Sequence, residues 1–282
     1  MPAIRPMLAE SIDINSLDAY INDDKYWIEQ KLDGERVVFH VRDSEPIPVN
    51  RNGKLYTRPV PPSVTAAFKE SCWKGQWVID GELLNGNYYV FDLPFVKPGE
   101  EVIVNGETPF TERRLLLEKL FGVWSSPNVK LVQTATTTEE KEELVRTVKD
   151  ADGEGVMVKE KNNRYLQGRR SSHMLKAKFT STLEAFIIEI GRGGKRSVAV
   201  GLYDENGNVV DVGSVTMSDR NLARVEMYDV IEIRYLYCGN GNRLYQPAFL
   251  RKRSDKPMRE CTTDQLKMVN KEVQYLRTRN DG

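Results

Sequence analysis

Between residues 25 and 180 the apolar positions change period several times. Segments 26–29 and 36–41 read as strands flanking Asp33-Gly34, a turn dipeptide, so taken alone they form a charged hairpin. Segments 77–79 and 88–91 read as a second hairpin around Asn85-Gly86-Asn87. Leu115, Leu116, Leu117 and Leu120 behind a Thr-Glu start predict a helix over 111–121, and a Thr/Glu cap predicts another over 138–148. Beyond Phe179-Thr180-Ser181-Thr182 the pattern turns to short β-rich runs at 184–190, 197–203, 209–215, 229–236 and 244–251, separated by turns. Helices are expected over 218–227, between the third and fourth runs, and over 263–277. Five strands with one helix between the third and fourth is the element order of an OB-fold barrel. The expected fold class is α+β, with a domain of antiparallel sheets and helices over 1–180, a hinge near Thr180–Thr182 and an all-β OB-fold barrel over 181–282.

Composition narrows the function. The chain has 282 residues, 40% of them hydrophobic, enough for two packed cores and too apolar for disorder. Its 41 Lys+Arg balance 41 Asp+Glu, so nucleic acid cannot be held by bulk positive charge alone. Local basic surfaces remain, in the stretch 159–170 and at Arg251-Lys252-Arg253. Mean hydropathy is −0.51, and apolar runs such as 185–188 fall far short of the ~20 residues of a membrane span. The amino terminus has no apolar signal region, so a cytoplasmic, non-secreted protein is expected. Cys72, Cys238 and Cys261 are scattered and read as reduced. Gly191-Arg192-Gly193-Gly194-Lys195 lacks the first glycine and the final Ser/Thr of a phosphate loop, since Glu189 and Arg196 stand there; it reads as a hairpin turn.

The chemistry concentrates in Glu29-Gln30-Lys31-Leu32-Asp33-Gly34-Glu35-Arg36. A lysine at a strand end, a tight turn and an arginine can project an amine and a guanidinium into one cleft. In order behind it come Arg51-Asn52-Gly53, Asp80-Gly81-Glu82, Phe91-Asp92, Glu154-Gly155-Val156-Met157-Val158-Lys159 and Leu175-Lys176-Ala177-Lys178. Strand alternation puts Lys176 and Lys178 on one face. Paired lysines facing carboxylates suit a metal–phosphate site.

This ordered set resembles the covalent nucleotidyltransferases, in particular the ATP-dependent DNA ligases of the minimal two-domain kind. The likeness runs from Pro6-Met7-Leu8-Ala9 through Tyr165 and Gly168-Arg169-Arg170-Ser171 to Arg253-Ser254-Asp255-Lys256, nearly the whole chain. It implies an amino-terminal adenylation domain and a carboxy-terminal OB domain. It assigns Lys31 as the nucleophile that takes AMP from ATP, a step eased by the cationic neighbours Lys176 and Lys178. Glu82 and Glu154 are implied as carboxylates for ribose or for Mg²⁺, with Mn²⁺ as a substitute. Phe91 would stack on adenine and Glu29, beside Gln30, would accept from its exocyclic amine. Arg36 and Arg51 would hold phosphates, Asn52 the nick, and Lys161, Arg164, Arg169 and Arg170 a DNA strand. Arg253, Asp255 and Lys256 would close over ATP in the first step and then swing away. The implied partner is nicked duplex DNA and the implied state a monomer. RNA ligation and mRNA capping by guanylyl transfer share parts of the pattern. A non-catalytic OB-fold protein would bind nucleic acid without a covalent adduct. NAD-dependent ligation lacks its four-cysteine zinc site here.

Overall fold

The computed structural model describes residues 4–71, 74–191, 195–239 and 241–268. The chain divides between Ala177 and Lys178 into two compact units.

In chain order the first unit contains β1 (Leu8–Ile12), α1 (Leu17–Ile21), β2 (Tyr26–Lys31), β3 (Glu35–Arg42), β4 (Glu45–Asn50), α2 (Pro62–Glu70), β5 (Gln76–Leu84), β6 (Asn87–Lys97) and α3 (Phe110–Val123). It continues with β7 (Val129–Leu131), β8 (Thr134–Ala135), α4 (Thr138–Asp150) and β9 (Gly155–Glu160), and β10 (Arg170–Lys178) runs to its end. Two five-stranded sheets result, ordered β1-β10-β9-β2-β8 and β4-β3-β5-β6-β7. Most pairs are antiparallel, but β1–β10 and β6–β7 are parallel, so the sheets are mixed rather than antiparallel throughout.

Local chemistry explains several of these elements. Asn85 and Gly86 both adopt positive φ (49° and 78°), the twist that suits a two-residue hairpin between β5 and β6. Thr137 and Glu140 form a reciprocal capping box that starts α4. The hairpin expected at Asp33-Gly34 does not form. β2 pairs with β8 and β9 while β3 pairs with β4 and β5, so residues 32–34 carry the chain from one sheet to the other. Glycine is needed there for close approach, because a Cβ on Gly34 would lie 2.3 Å from the carbonyl oxygen of Leu83.

Alternation along β3 and β5 builds two cores. Val37, Phe39, Val41, Trp77 and Ile79 share one cluster with Val64 and Phe68 of α2 and Leu117 of α3. Val38 and Val78 point the other way, to Met7, Ala9, Tyr165 and Met174.

The second unit contains β11 (Ser181–Ile190), β12 (Ser197–Tyr203), β13 (Val209–Thr216), α5 (Asp219–Leu222), β14 (Val230–Tyr235), β15 (Cys238–Gly239), β16 (Arg243–Leu244) and β17 (Ala248–Lys252). Its main sheet is ordered β13-β12-β11-β14-β17 over a core that includes Phe186, Val200, Ile231 and Ile233. β13 and β17 remain its edges, so no closed barrel is found among the described residues. The fold is mixed α+β and rich in sheet. The helix expected over 218–227 shrinks to α5: Ser218 caps it, but Tyr228 takes φ 71° and Asp229 turns back to accept from the Glu226 amide. Of the helix expected over 263–277, Thr263–Gln265 is a single 3₁₀ turn and Met268 bridges Cys238 in extended form; 269–277 lies outside the described residues. The Tyr235 hydroxyl imposes this by accepting from the Lys267 amide. Cys238 and Cys261 are buried free thiols, and Cys72 lies outside the described residues, as do 192–194 of the glycine-rich turn between β11 and β12. No described helix is long and apolar enough to cross a membrane.

Candidate active site

Lys31 ends β2 opposite Gly155, the first residue of β9, which brings its amine onto the Glu154 carboxylate in an ion pair. Glu154 is buried, while the Lys31 side chain stays 20% exposed. The amine is held by an acid yet open to a ligand. Across the other sheet, Arg36 of β3 lies directly opposite Glu82 of β5. Burial pushes the Glu82 carboxyl up to about 7; Lys31 and Arg36 oppose the rise, and the nearby Glu154 and Asp80 add to it. Lys31, Arg36, Glu82 and Glu154 therefore form one electrostatic cluster.

Arg36 is fixed from behind. Its Nε and Nη2 donate to the two oxygens of the fully buried Asp80 at 2.9 and 2.6 Å, and Nη1 donates to the Met7 carbonyl at 2.8 Å. Burial works against the charge, but Asp80 wins and holds the guanidinium protonated more firmly than usual. Tyr165 donates to the same carboxylate at 2.5 Å.

Phe91, on β6, is half-buried, with the Arg36 guanidinium 5.3 Å and the Lys159 amine 5.1 Å from its ring centroid. Glu29 is buried on β2, paired with Lys159 at 2.7 Å, accepting from Thr134 Oγ1 at 2.9 Å and 3.8 Å from Arg114. Gln30 is buried beside it, opposite Val156. Lys159, Arg114 and Thr134 carry no separate sequence signal for this role.

A second buried pair stiffens the same sheet. Asp92 lies directly across from Asp80, and Arg113 grips it through Nε and Nη2 at 2.7 and 3.0 Å. Burial would raise the Asp92 carboxyl, but Arg113 and Lys159 hold it below the usual carboxylate range. A trace of Arg113 was readable in the sequence. It recurs with Phe110 and Leu117 on the buried stripe of α3, where an unpaired charge would be costly.

Lys176 sits on β10 opposite Ser11, and β9 separates that strand from β2. Lys178 ends β10 and donates to Gln246 at 2.6 Å. Arg51 and Asn52 occupy an exposed tight turn after β4, closed by Asn50 accepting from Gly53 and donating to Lys54. Arg5, absent from the sequence reading, threads its stem between this turn and the 166–169 turn: a Cβ on Gly53 would meet its Cγ at 2.6 Å, and one on Gly168 its Cβ at 3.3 Å. Arg5, Arg51 and Arg169 are exposed and have no carboxylate partner among the described residues. Arg170 donates to the Ala9 carbonyl. Arg164 is instead paired with Glu107 at 2.7 Å, and the Lys161 amine lies 5.9 Å from the Trp27 ring.

In the second unit, Asp255 takes the Nε and Nη2 of Arg253 at 2.9 and 2.8 Å, and Glu184 takes Nη1 at 2.7 Å. Lys256 pairs with Glu260 at 3.3 Å.

No three His, Cys, Asp or Glu side chains converge as a metal cage among the described residues. Glu82 with Glu154 offers two hard-oxygen donors, the number that suits a cation drawing its other ligands from water and phosphate.

The family model for the ATP-dependent DNA ligase domain matches residues 6–87 and 85–178. "DNA ligase 1" of Korarchaeum cryptofilum (strain OPF8) is 28% identical over 231 residues, covering 68% of this chain and 40% of that protein. A DNA ligase of Thermococcus onnurineus (strain NA1) is 29% identical over 253 residues, covering 75% and 44%. The chain thus spans less than half the length of these curated relatives. Among solved structures, a minimal-scaffold Lig E DNA ligase aligns with TM-score 0.62 at 21% identity, over 87% of this chain and 98% of the other. The ligase domain of M. tuberculosis LigD aligns with TM-score 0.54 at 21% identity, over 92% and 98%. These likenesses carry the fold, and the family match adds descent: the chain belongs to the ATP-dependent DNA ligase domain family.

Proposed function

We propose that this chain is an ATP-dependent DNA ligase that seals 5′-phosphate/3′-hydroxyl nicks in duplex DNA. The observation that carries the reading is the clustering of Lys31, Glu154, Glu82 and Arg36: a primary amine beside an acid, with a phosphate-binding guanidinium locked nearby. Glu154 is the nearest acceptor for the proton that Lys31 must lose. The neutral amine attacks the α-phosphorus of ATP, the bond to the bridging oxygen breaks, and pyrophosphate leaves as Lys31-AMP forms. A 5′-phosphate oxygen of DNA then displaces Lys31, and the 3′-hydroxyl displaces AMP.

Phe91 supplies the stacking face for adenine, with Glu29 and Gln30 at its edge. Lys176 and Lys178 serve the phosphates. Glu82 and Glu154 would hold Mg²⁺, or Mn²⁺ in its place, which when bound offsets negative charge on the phosphate oxygens. Arg51, Asn52, Arg169 and Arg170 contact DNA, with Lys161 and Arg164 beside them; the three unpaired arginines Arg5, Arg51 and Arg169 support this assignment. Residues 1–180 act as the adenylation domain and 181–282 as an OB-type domain, whose Arg253, Asp255 and Lys256 serve the first step. The enzyme works as a cytoplasmic monomer.

The test is joining of a 5′-phosphorylated nick by purified protein with Mg²⁺ and ATP, read on a denaturing gel. Joined strand that depends on ATP is expected. No joining with either metal at low salt overturns the reading, and the nucleotide that labels Lys31 then separates RNA ligation from capping.

A further inference from the structure

Glu184 of β11 and Glu232 of β14 lie directly opposite one another in the second unit's sheet. Like charges at directly opposed positions repel, so a sheet keeps such a pair only where cations neutralise it. Two arginines do so here. Arg251 donates to Glu232 at 2.6 Å, and Arg253 reaches both acids, Glu184 at 2.7 Å and Glu232 at 3.6 Å. Arg253 follows β17, and its amide is tied to the Val230 carbonyl at 2.8 Å. Its side chain is 14% exposed, against 65% for Arg251, so of the two it is the one set into the sheet surface.

A guanidinium has five N–H donors in a fixed plane. Asp255 uses two of them, on Nε and Nη2, and Glu184 uses one on Nη1. One donor on each terminal nitrogen is left without a hydrogen bond, with Glu232 3.6 Å from Nη1, and these donors can take oxygens of a phosphate. Asp255 alone holds one edge of the plane. Glu184 secures the remaining nitrogen from the neighbouring strand.

We infer that Glu184 is a positioning residue for Arg253, orienting its last two donors toward the β- and γ-phosphates that leave as pyrophosphate. The assignment rests on the reading of Arg253 as a first-step residue. It predicts that Glu184 matters when pyrophosphate is bound or released and is silent when AMP already sits on DNA.

The experiment compares the full-length protein with its Glu184→Gln and Glu184→Asp variants in three assays: formation of Lys31-AMP from α-labelled ATP, its reversal by added inorganic pyrophosphate, and sealing of a nick that already carries 5′-AMP. Glu184→Gln is expected to slow the first two at least tenfold, with a raised KM for ATP, and to leave the third within twofold. Glu184→Asp is expected to recover part of the loss. Equal loss in all three assays, or no loss in the first two, overturns the inference. Should Glu184→Gln fail to fold, Glu184→Asp alone decides: a selective loss in the two pyrophosphate assays supports the role, and unchanged or uniformly reduced activity ends it. Wild-type protein that forms no labelled adduct would instead sink the ligase reading itself, so the two failures are distinct.

Discussion

Both units set two carboxylates directly across a strand pair and neutralise them with two arginines, but they do so at different depths. In the first unit Asp80 and Asp92 are at most 2% exposed, and each takes a two-pronged grip from its own arginine, Arg36 or Arg113. In the second, Glu184 and Glu232 are 22% and 16% exposed and share Arg253. The buried quartet has no water to replace a lost partner, so its geometry is fixed. The shallower one is reached by water, so breaking one of its ion pairs costs less. One sheet holds the surroundings of Arg36 rigid, and the other leaves Arg253 partly open to water.

The most drastic test of the first unit is Lys31→Ala, expected to remove all labelled covalent adduct while the protein still unfolds cooperatively on heating. Asp92→Asn is expected to cost about 3–5 kcal/mol in urea unfolding, because Arg113 is then buried without its counter-charge. Glu82→Gln acts in the other direction. A carboxyl at about 7 in the folded protein and near 4.5 unfolded keeps its proton in the folded state across that window, so wild-type stability falls as pH rises through it. Glutamine never ionises. The variant should therefore match wild type below pH 4.5 and exceed it by about 1–3 kcal/mol at pH 8, read as denaturation midpoints across pH. Smallest of all is Lys252→Ala, which breaks an exposed pair with Asp229 and should shift stability by less than about 1 kcal/mol. A Lys252 effect as large as that of Asp92 would erase the distinction between the units.

What the sequence revealed follows the range over which its signals act. The β5–β6 hairpin, α3 and α4 were legible because Asn85-Gly86, the leucines of 111–121 and the Thr137–Glu140 box act within a few residues. The first four strands of the second unit were legible for the same reason, whereas the expected fifth run splits between β16 and β17 and the closed barrel is not found among the described residues. Asp33-Gly34 misled, because a turn dipeptide says nothing about which sheet each flanking strand will join. The lysine, the arginine and both carboxylates of the candidate site were named through the family resemblance that their ordered motifs carry. Their supports were not, since Lys159 meets Glu29 and Arg113 meets Asp92 only after distant strands and α3 have packed. Arg5 stayed hidden because the two turns its stem packs against, at Gly53 and Gly168, are far apart in sequence.

The parallel pairing of β1 with β10 has a temporal consequence. Residues 8–12 have no partner in their sheet until residues 170–177 have been synthesised, so β1 is made long before the strand it docks on. Closing so long a loop slows folding far more than it weakens the folded state. During translation the nascent chain therefore exposes β1 until nearly the whole first unit has emerged.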